Sequence, residues 1–264
     1  MDFHHKRVWI TGASSGIGEA LTYAFVEEGA EVIISARREG ELERVKGNCG
    51  DKASKVTVVP LDLTDQEGMK QKVSQVIAEK GAVDYLVNNG GISQRSWVWE
   101  TPMEIDRKVM ETNFFGQVAM TKALLPSMIE HGFGHIIVIS SLTGKFGFPM
   151  RSAYAASKHA LEGFFETLYF ELADKNIRVT MVNPGFIRTQ ISVNAVTKDG
   201  SRSGQMDANQ EKGMSPELCA KKIIRGVRKN KKEIIIGGKE TMLVYFKRFI
   251  PPLFLKLARS ASPT

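Results

Sequence analysis

The chain predicts a doubly wound α/β fold: one domain built on a parallel sheet, with helices on both faces. Three observations carry that prediction. Short apolar runs rich in Val and Ile alternate with helical patterns from Arg7 to Ile236. The first run leads directly into a glycine-rich turn, Thr11 to Gly18, which opens the first helix. At 264 residues, 42% hydrophobic and 25% charged, the chain fits a single large domain spanning residues 1–264.

Arg7-Val8-Trp9-Ile10 reads as the first strand. In the turn that follows, Gly12 permits the tight bend, Gly16 lets backbone approach a phosphate, and Gly18 lets helix and strand pack closely. The helix through Leu21, Phe25 and Val26 runs to a stop at Gly29. Its first amides, after Ser14, Ser15 and Ile17, present a partial positive charge to a pyrophosphate. Glu31 to Ala36 is the second strand. A dinucleotide fold often places a carboxylate at this point for the adenosine ribose hydroxyls. Here the strand ends in Ala36 and continues Arg37-Arg38. Guanidiniums hold a 2′-phosphate that a carboxylate would repel, and the hydroxyls of Ser14 and Ser15 can share it. The expected cofactor is therefore NADP(H).

Val56 to Pro60 is the third strand, followed by Leu61-Asp62-Leu63, where Asp62 can reach the adenine edge. A helix from about Asp65 to Lys80 leads to the fourth strand, Val83 to Val87. That strand ends in Asn88-Asn89-Gly90-Gly91, small and amide residues suited to close approach of a nucleotide. An irregular segment from Ile92 to Thr101 carries Gln94, Arg95, Trp97 and Trp99. Pro102 opens a helix that passes Asn113 and a kink near Phe114-Phe115-Gly116 on its way to His131. Asn113, polar within an apolar stretch, can kink or cap the helix, or its amide can hold a water chain.

The run His135 to Ser140 precedes Ser141, and a further helix carries Tyr154 and continues to about Asp174. Its apolar residues, among them Phe164, Phe165, Leu168, Tyr169 and Phe170, exceed one core-facing stripe. That excess suggests a homodimer or homotetramer packed there. Ile177 to Asn183 is the sixth strand, leading into Pro184-Gly185-Phe186-Ile187-Arg188-Thr189. Residues 190–215 are polar with little apolar periodicity, which suits a lid or disorder. A basic helix from Pro216 and a strand, Glu233 to Ile236, complete the alternation. The apolar tail, about 239–264, is too interrupted to span a bilayer. It suits subunit or lid packing, with peripheral membrane contact as the alternative.

Chemistry concentrates in Tyr154 and Lys158. Four positions apart near a helix start, they emerge on one face. A neighbouring cation favours the phenolate and draws the phenol toward a working range. Ser141, at a strand's end, can hydrogen-bond whatever the phenol acts on. Taken alone the pair reads first as a surface Tyr and Lys on an ordinary helix, and the rest of the chain overturns that.

Composition narrows the partners. The formal charge is +7 and the pI about 9.3. Much of the excess lies in Lys221-Lys222, Arg225, Arg228-Lys229 and Lys231-Lys232, a run that reads as a solvated face. No nucleic-acid motif accompanies it, so no nucleic acid is expected. The two cysteines, Cys49 and Cys219, form no disulfide framework, and the five histidines follow no ligand pattern. No metal site is expected, and a reducing compartment fits. The chain enters a strand almost at once, leaving no room for a signal or transit peptide. A cytoplasmic location is expected, with the tail as the segment suited to membrane association.

Together the turn Thr11 to Gly18, Asn88-Asn89-Gly90-Gly91, Asn113, Ser141, Tyr154, Lys158 and Pro184-Gly185 resemble the short-chain dehydrogenase/reductase family. The resemblance covers roughly residues 5 to 237 and implies a Rossmann fold. It implies that Tyr154 is the general acid and that Lys158 lowers its pKa and binds the nicotinamide ribose. Ser141 would orient the substrate carbonyl, and Asn113 would hold a proton-relay water. Ile187 and Thr189 would hold the nicotinamide carboxamide, while Asn89 and Gly90 would line the adenosine side. Gly90 stands where the family usually has alanine. That form, followed by Ile-Ser-Gln-Arg, looks like the dehydrogenase/reductase member 7 branch, which is related to steroid dehydrogenases and to acyl-dihydroxyacetone-phosphate reductases. The function implied is hydride transfer between NADP(H) and a small-molecule carbonyl or secondary alcohol, expected to be a lipophilic ketone. Alternatives are 3-oxoacyl-thioester reduction and a non-catalytic nucleotide-binding regulatory protein.

Overall fold

The structure, a computed structural model, describes residues 2–260. Seven apolar runs become strands: β1 (Arg7–Thr11), β2 (Glu31–Ser35), β3 (Val56–Val58), β4 (Tyr85–Asn88), β5 (Gly134–Ile139), β6 (Ile177–Pro184) and β7 (Glu233–Ile236). They form one parallel sheet in the order β3-β2-β1-β4-β5-β6-β7. The helices are α1 (Gly16–Glu27), α2 (Glu39–Gly47), α3 (Gln66–Lys80), α4 (Met103–Met110), α5 (Gly116–His131), α6 (Ser152–Glu171), α7 (Ala208–Glu211), α8 (Pro216–Arg228), α9 (Met242–Phe249) and α10 (Pro251–Ser260).

Because successive strand side chains alternate faces, each strand feeds two cores. Val8 and Ile10 of β1, Val32 and Ile34 of β2, and Ile137 and Ile139 of β5 pack with Leu21 and Phe25 of α1, Leu42 of α2 and Ile223 of α8. Trp9, Ile33, Ile136 and Val138 point the other way, onto Val73 of α3, Leu124 of α5 and Phe165 of α6. Continuous apolar runs are what a sheet covered on both faces requires. Strand order reverses between β1 and β4, and this topological switch opens a crevice at their carboxyl ends.

Helix ends follow local chemistry. The Asp65 carboxylate accepts from Gly68 N at 3.0 Å to cap α3, and the Ser215 hydroxyl accepts from Leu218 N at 3.3 Å ahead of Pro216 in α8. Gly132, at φ +73°, ends α5 in the left-handed conformation.

The expected kink before Gly116 is a π-helical turn, Glu111–Phe115, in which the N–H of Gly116 reaches Glu111 O. The Tyr154 helix ends at Glu171, short of Asp174. Helix α2 is unheralded by apolar periodicity, since only Leu42 and Val45 of its nine residues are buried. The 190–215 segment contains the short α7 and isolated bridges from Val196 to Gln94 and Arg202. The tail forms α9 and α10, which break at Ile250 with Pro251-Pro252 opening the second, and its last residues, 261–264, lie outside the described residues. Among the described residues no helix is long and apolar enough to cross a membrane.

One buried group ties the fold to pH. His135 on β5 is fully buried, and its Nε2 lies 2.8 Å from Thr180 Oγ1. The Thr180 hydroxyl itself donates to Lys231 O at 2.7 Å, so Nε2–H is the donor to it. Nδ1 has no partner, and charging the ring would leave a new N–H without an acceptor. Burial, aided by the Arg178 cation, pushes His135 down to about 3. The unfolded imidazole takes its proton near pH 6.5, so the full stability is present above that value and is lost as pH falls toward 3. At pH 5 the loss should be about 2 kcal/mol relative to pH 7. His135→Gln, which keeps a donor to Thr180, should flatten this dependence in thermal melts. Parallel pH curves for the two proteins would contradict the assignment.

Candidate active site

The glycine turn leaves β1 at the crevice with Gly12 at φ +65° and Gly16 at φ +61°. A Cβ on Gly12 would lie 2.6 Å from Gly90 Cα, and one on Gly18 would lie 2.4 Å from Gly12 O. Here the turns after β1 and β4 touch backbone to backbone. Thr11 and Asn89 join them. The Asn89 Nδ2 donates to Thr11 O and Gly12 O, each at 3.0 Å. The N–H groups of Asn89 and Gly90 both donate to Thr11 Oγ1 at 3.1 Å.

A row of polar side chains four residues apart braces the β4 turn from behind. Gln117 Nε2 donates to Gly90 O at 2.7 Å, and Thr121 Oγ1 accepts from Asn88 Nδ2 at 2.8 Å. Asn113, in the π-helical turn, accepts from Ile92 N at 2.8 Å and donates to Ile92 O at 2.9 Å and to Ser157 Oγ at 3.0 Å. Both amide hydrogens are thereby committed, and Oδ1 keeps one lone pair. As a holder of water the side chain is more constrained than its family role implies, because bracing the Ile92 peptide uses most of it.

In front of these turns lies a cavity of about 700 Å³. Of the expected cofactor residues, Gly12, Ser14, Ser15, Gly16, Ile17, Arg37, Arg38, Asp62, Leu63, Asn89, Gly90 and Thr189 line it. Gly18, Tyr154, Lys158, Pro184, Gly185 and Ile187 do not. Gly18 lies behind the turn as a packing contact. Ile187 is buried in the core, with Arg188 N donating to Met214 O at 2.9 Å beside it. Gly185 abuts the Glu240 carboxylate, which accepts from Phe186 N at 3.2 Å. The cradle fits a dinucleotide: backbone open where a Cβ would intrude, a helix N-terminus behind it, and two exposed arginines at its rim.

Tyr154 and Lys158 share the inner face of α6, with Lys158 Nζ 5.7 Å from the phenol ring centre. Lys158 is buried and donates to Ile139 O, at the end of β5, at 2.8 Å. Gly91 leaves room here, since its Cβ would stand 3.0 Å from Asn113 Oδ1 and 3.9 Å from Lys158 Nζ. Ser141 follows β5, and its hydroxyl stands near the Tyr154 phenol and accepts from Thr143 N at 3.2 Å.

The expected lowering of the phenol by Lys158 is not what this site shows. Burial pushes Tyr154 above its ordinary value, against a hydrogen bond from Ser141 and the charge of Arg151, which pull it down. Burial also brings Lys158 down to about 8, with Glu162 opposing. Desolvation outweighs the mutual attraction because both groups are enclosed and Lys158 spends a hydrogen on the Ile139 carbonyl.

The family model described as short chain dehydrogenase matches residues 6–200. The chain belongs to the short-chain dehydrogenase family. It is 47% identical over 251 residues to a Drosophila melanogaster dehydrogenase/reductase SDR family protein 7-like, covering 94% of this chain and 77% of that protein. It is 43% identical over 260 residues to dehydrogenase/reductase SDR family member 7B of Rattus norvegicus, covering 96% and 80%. A short-chain dehydrogenase from Streptomyces avermitilis superposes with a TM-score of 0.80 at 30% identity, over 98% of this chain and 99% of that one. A serine dehydrogenase complexed with NADP+ gives 0.78 at 28%, over 88% and 94%. A Burkholderia phymatum relative in complex with NAD gives 0.83 at 22%, over 100% and 98%, a likeness of fold. The family's members are oxidoreductases that use nicotinamide cofactors.

Several residues of this short-chain dehydrogenase site escaped the sequence reading. Lys108, Thr112, Gln190, Asn194 and Arg202 also border the cavity. Gln94 accepts from Ala153 N at 2.8 Å, capping the helix that carries Tyr154. Gln117 and Thr121 were legible in principle, because polar side chains at four-residue intervals from Asn113 mark one helix face inside an apolar stretch.

Proposed function

We propose that the chain interconverts carbonyls and secondary alcohols with NADP(H), reduction being the favoured direction. The observation that carries the reading is the cluster at the end of β5 of buried Lys158 with half-buried Ser141 and Tyr154, beside a dinucleotide cradle. When bound, the nicotinamide supplies or accepts the hydride.

The chain supplies position and the proton. Ser141 donates to the substrate oxygen and aligns it with the phenol. Tyr154, held protonated by its burial, gives its proton to that oxygen as charge develops there. The Lys158 ammonium stabilises the phenolate left behind and also suits the nicotinamide ribose. Asn113 fixes the Ile92 peptide, which keeps the floor of the substrate cleft at a set distance from Lys158. The 92–101 and 142–150 segments and a lid at 190–215 would shape the pocket. Leu142 and Phe146 are buried beneath Phe254 of the tail, so the 142–150 segment is apolar in character, which suits a lipophilic ketone. Outer faces of α5 and α6 expose Ile129 and Phe170, supporting a homodimer or homotetramer built on that side.

The tail supports a membrane-surface contact. Phe254 packs on Leu142 and Phe146, while Tyr245, Phe249, Ile250, Leu253 and Leu255 are exposed. Lys247, Arg248, Lys256 and Arg259 accompany them, and residues 242–260 carry no carboxylate. That composition suits an anionic lipid surface beside the mouth of an apolar pocket.

Tyr154→Phe keeps the ring and removes the transferable proton. With the best ketone from a panel of ketones, steroids and acyl thioesters, turnover should fall by about 10²–10⁴-fold with dinucleotide affinity retained. Near wild-type turnover would remove Tyr154 from the mechanism. A protein that binds NADPH yet reduces nothing in the panel would favour a non-catalytic binder.

For the cofactor, Ala36, Arg37 and Arg38 at the cavity rim favour a 2′-phosphate. NADPH should bind roughly ten- to hundredfold more tightly than NADH, as one charge-assisted arginine contact allows. The preference should weaken as salt rises. Ala36→Asp with Arg37→Ile should shift it toward NADH, and equal or tighter NADH binding by the unmodified chain would overturn the assignment.

For the tail, the intact chain should float with phosphatidylserine-containing vesicles at low salt and not with neutral ones. No flotation with either would eliminate lipid contact.

A further inference from the structure

The segment from 190 to 215 meets the site at two places. At one end Gln190, Asn194, Val196 and Arg202 border the nucleotide cavity across from the glycine turn. At the other end Asp207, 2% exposed at its side chain, pairs with Arg151 at 2.9 Å. Arg151 is the residue before α6, the helix that carries Tyr154 and Lys158. Its second nitrogen donates to Ser93 Oγ at 3.2 Å and to Gln94 O at 3.3 Å. The Gln94 side chain in turn caps α6 at Ala153 and donates to Ser152 Oγ at 3.2 Å. One guanidinium thus joins the 92–101 segment, the start of the catalytic helix and the 190–215 segment.

Asp207 is itself fixed on every side. Its Oδ1 accepts from Asn209 N at 2.9 Å and Gln210 N at 3.4 Å, capping α7, and its N–H donates to Ser192 Oγ at 3.2 Å. A buried ion pair offers little net stability over a well-packed apolar pair, because desolvation offsets the attraction. What it offers is direction: a planar fork with carbonyl, hydroxyl and carboxylate partners admits one arrangement.

We propose that Asp207 is a positioning residue that, through Arg151, latches the 190–215 segment over the cleft, so that closing this cover and setting Tyr154 at the start of α6 are one event. The role rests on the oxidoreductase reading given above. The charged groups around the phenol are few. Lys158 stands over its ring with Glu162 behind, Arg151 lies at the helix start, and Asp207 faces Arg151 from the cover. Removing the Asp207 charge leaves Arg151 less compensated and favours the phenolate. Removing the Arg151 charge does the reverse. The two changes therefore move Tyr154 in opposite directions, which a merely structural brace would not do.

Asp207→Asn keeps the acceptor that caps α7 and removes only the charge, while Arg151→Gln removes the opposite charge. Hydrogen–deuterium exchange of residues 190–206, with and without NADPH, reads the latch directly. Both variants should exchange at least about tenfold faster there than wild type, and the KM for NADPH should rise by at least about tenfold with a smaller change in kcat, since breaking one buried pair costs no less than this. The alkaline fall of the reduction rate should move to lower pH in Asp207→Asn and to higher pH in Arg151→Gln. Arg151→Lys, which retains the charge, should keep the wild-type pH profile while exchanging faster. Unchanged exchange in Asp207→Asn, or pH shifts of the same sign in the two neutral variants, would overturn the proposal. Exchange needs no turnover, so a wild-type protein inactive on every carbonyl would sink the oxidoreductase reading while leaving the latch to be judged on its own.

Discussion

The joint between Asn113 and the Ile92 peptide is the contact on which the site depends. Two hydrogen bonds pin an irregular segment to a helix, and a third ties that helix to Ser157 of α6. A regular α-helix would carry Asn113 past this point. The π-helical turn adds the extra residue that turns the side chain toward Ile92, a local distortion repaid by the bonds it permits. Gly91 and Gly116 matter for the same reason. Gly116 packs so closely on the Leu63 backbone that a Cβ would lie 2.5 Å from its carbonyl oxygen. A Cβ on Gly91 would crowd Asn113 Oδ1 at 3.0 Å.

The electrostatics follow from enclosure. A phenol in water would be a weak acid with many solvent partners. Inside the cleft it is protonated more firmly, and the adjacent ammonium less so, because both lose hydration and neither recovers it fully from the protein. In the proposed reaction the phenol would give its proton to an oxygen that becomes negative, and the resulting phenolate would be the anion that Lys158 stands beside.

Much of this was legible in the residues. The alternation of Val- and Ile-rich runs with helical patterns identifies a sheet buried on both faces, and Gly12, Gly16 and Gly18 lie where backbone approach demands them. Tyr154 and Lys158 share one face of α6, while Asn113 and Ser141 were grouped with them by the resemblance to the family and not by spacing alone. The sense of the phenol's shift was not legible, because burial is a property of the packed chain and Arg151 enters the balance only once α6 has been placed. Gln94 and Asp207 were equally hidden, as their partners lie 59 and 56 residues away. The tail's helices were masked by its proline pair and mixed apolar and basic composition, and the face that packs inward appears only when Phe254 meets Phe146.

The contact between the turns after β1 and β4 bears on the order in which the chain acquires structure. Thr11 and Asn89 are separated by 78 residues, and the Gly12 bend is held by the second of them. β1 can pair with β2 soon after both are made, yet its other edge stays open until β4 arrives. Closing so long a loop before any reward slows folding and leaves an unpaired central strand in the interim. The nascent first half of this chain is then an exposed sheet edge without a finished nucleotide cradle, dependent on prompt synthesis of the Asn88–Gly91 turn or on chaperone cover to avoid association through β1.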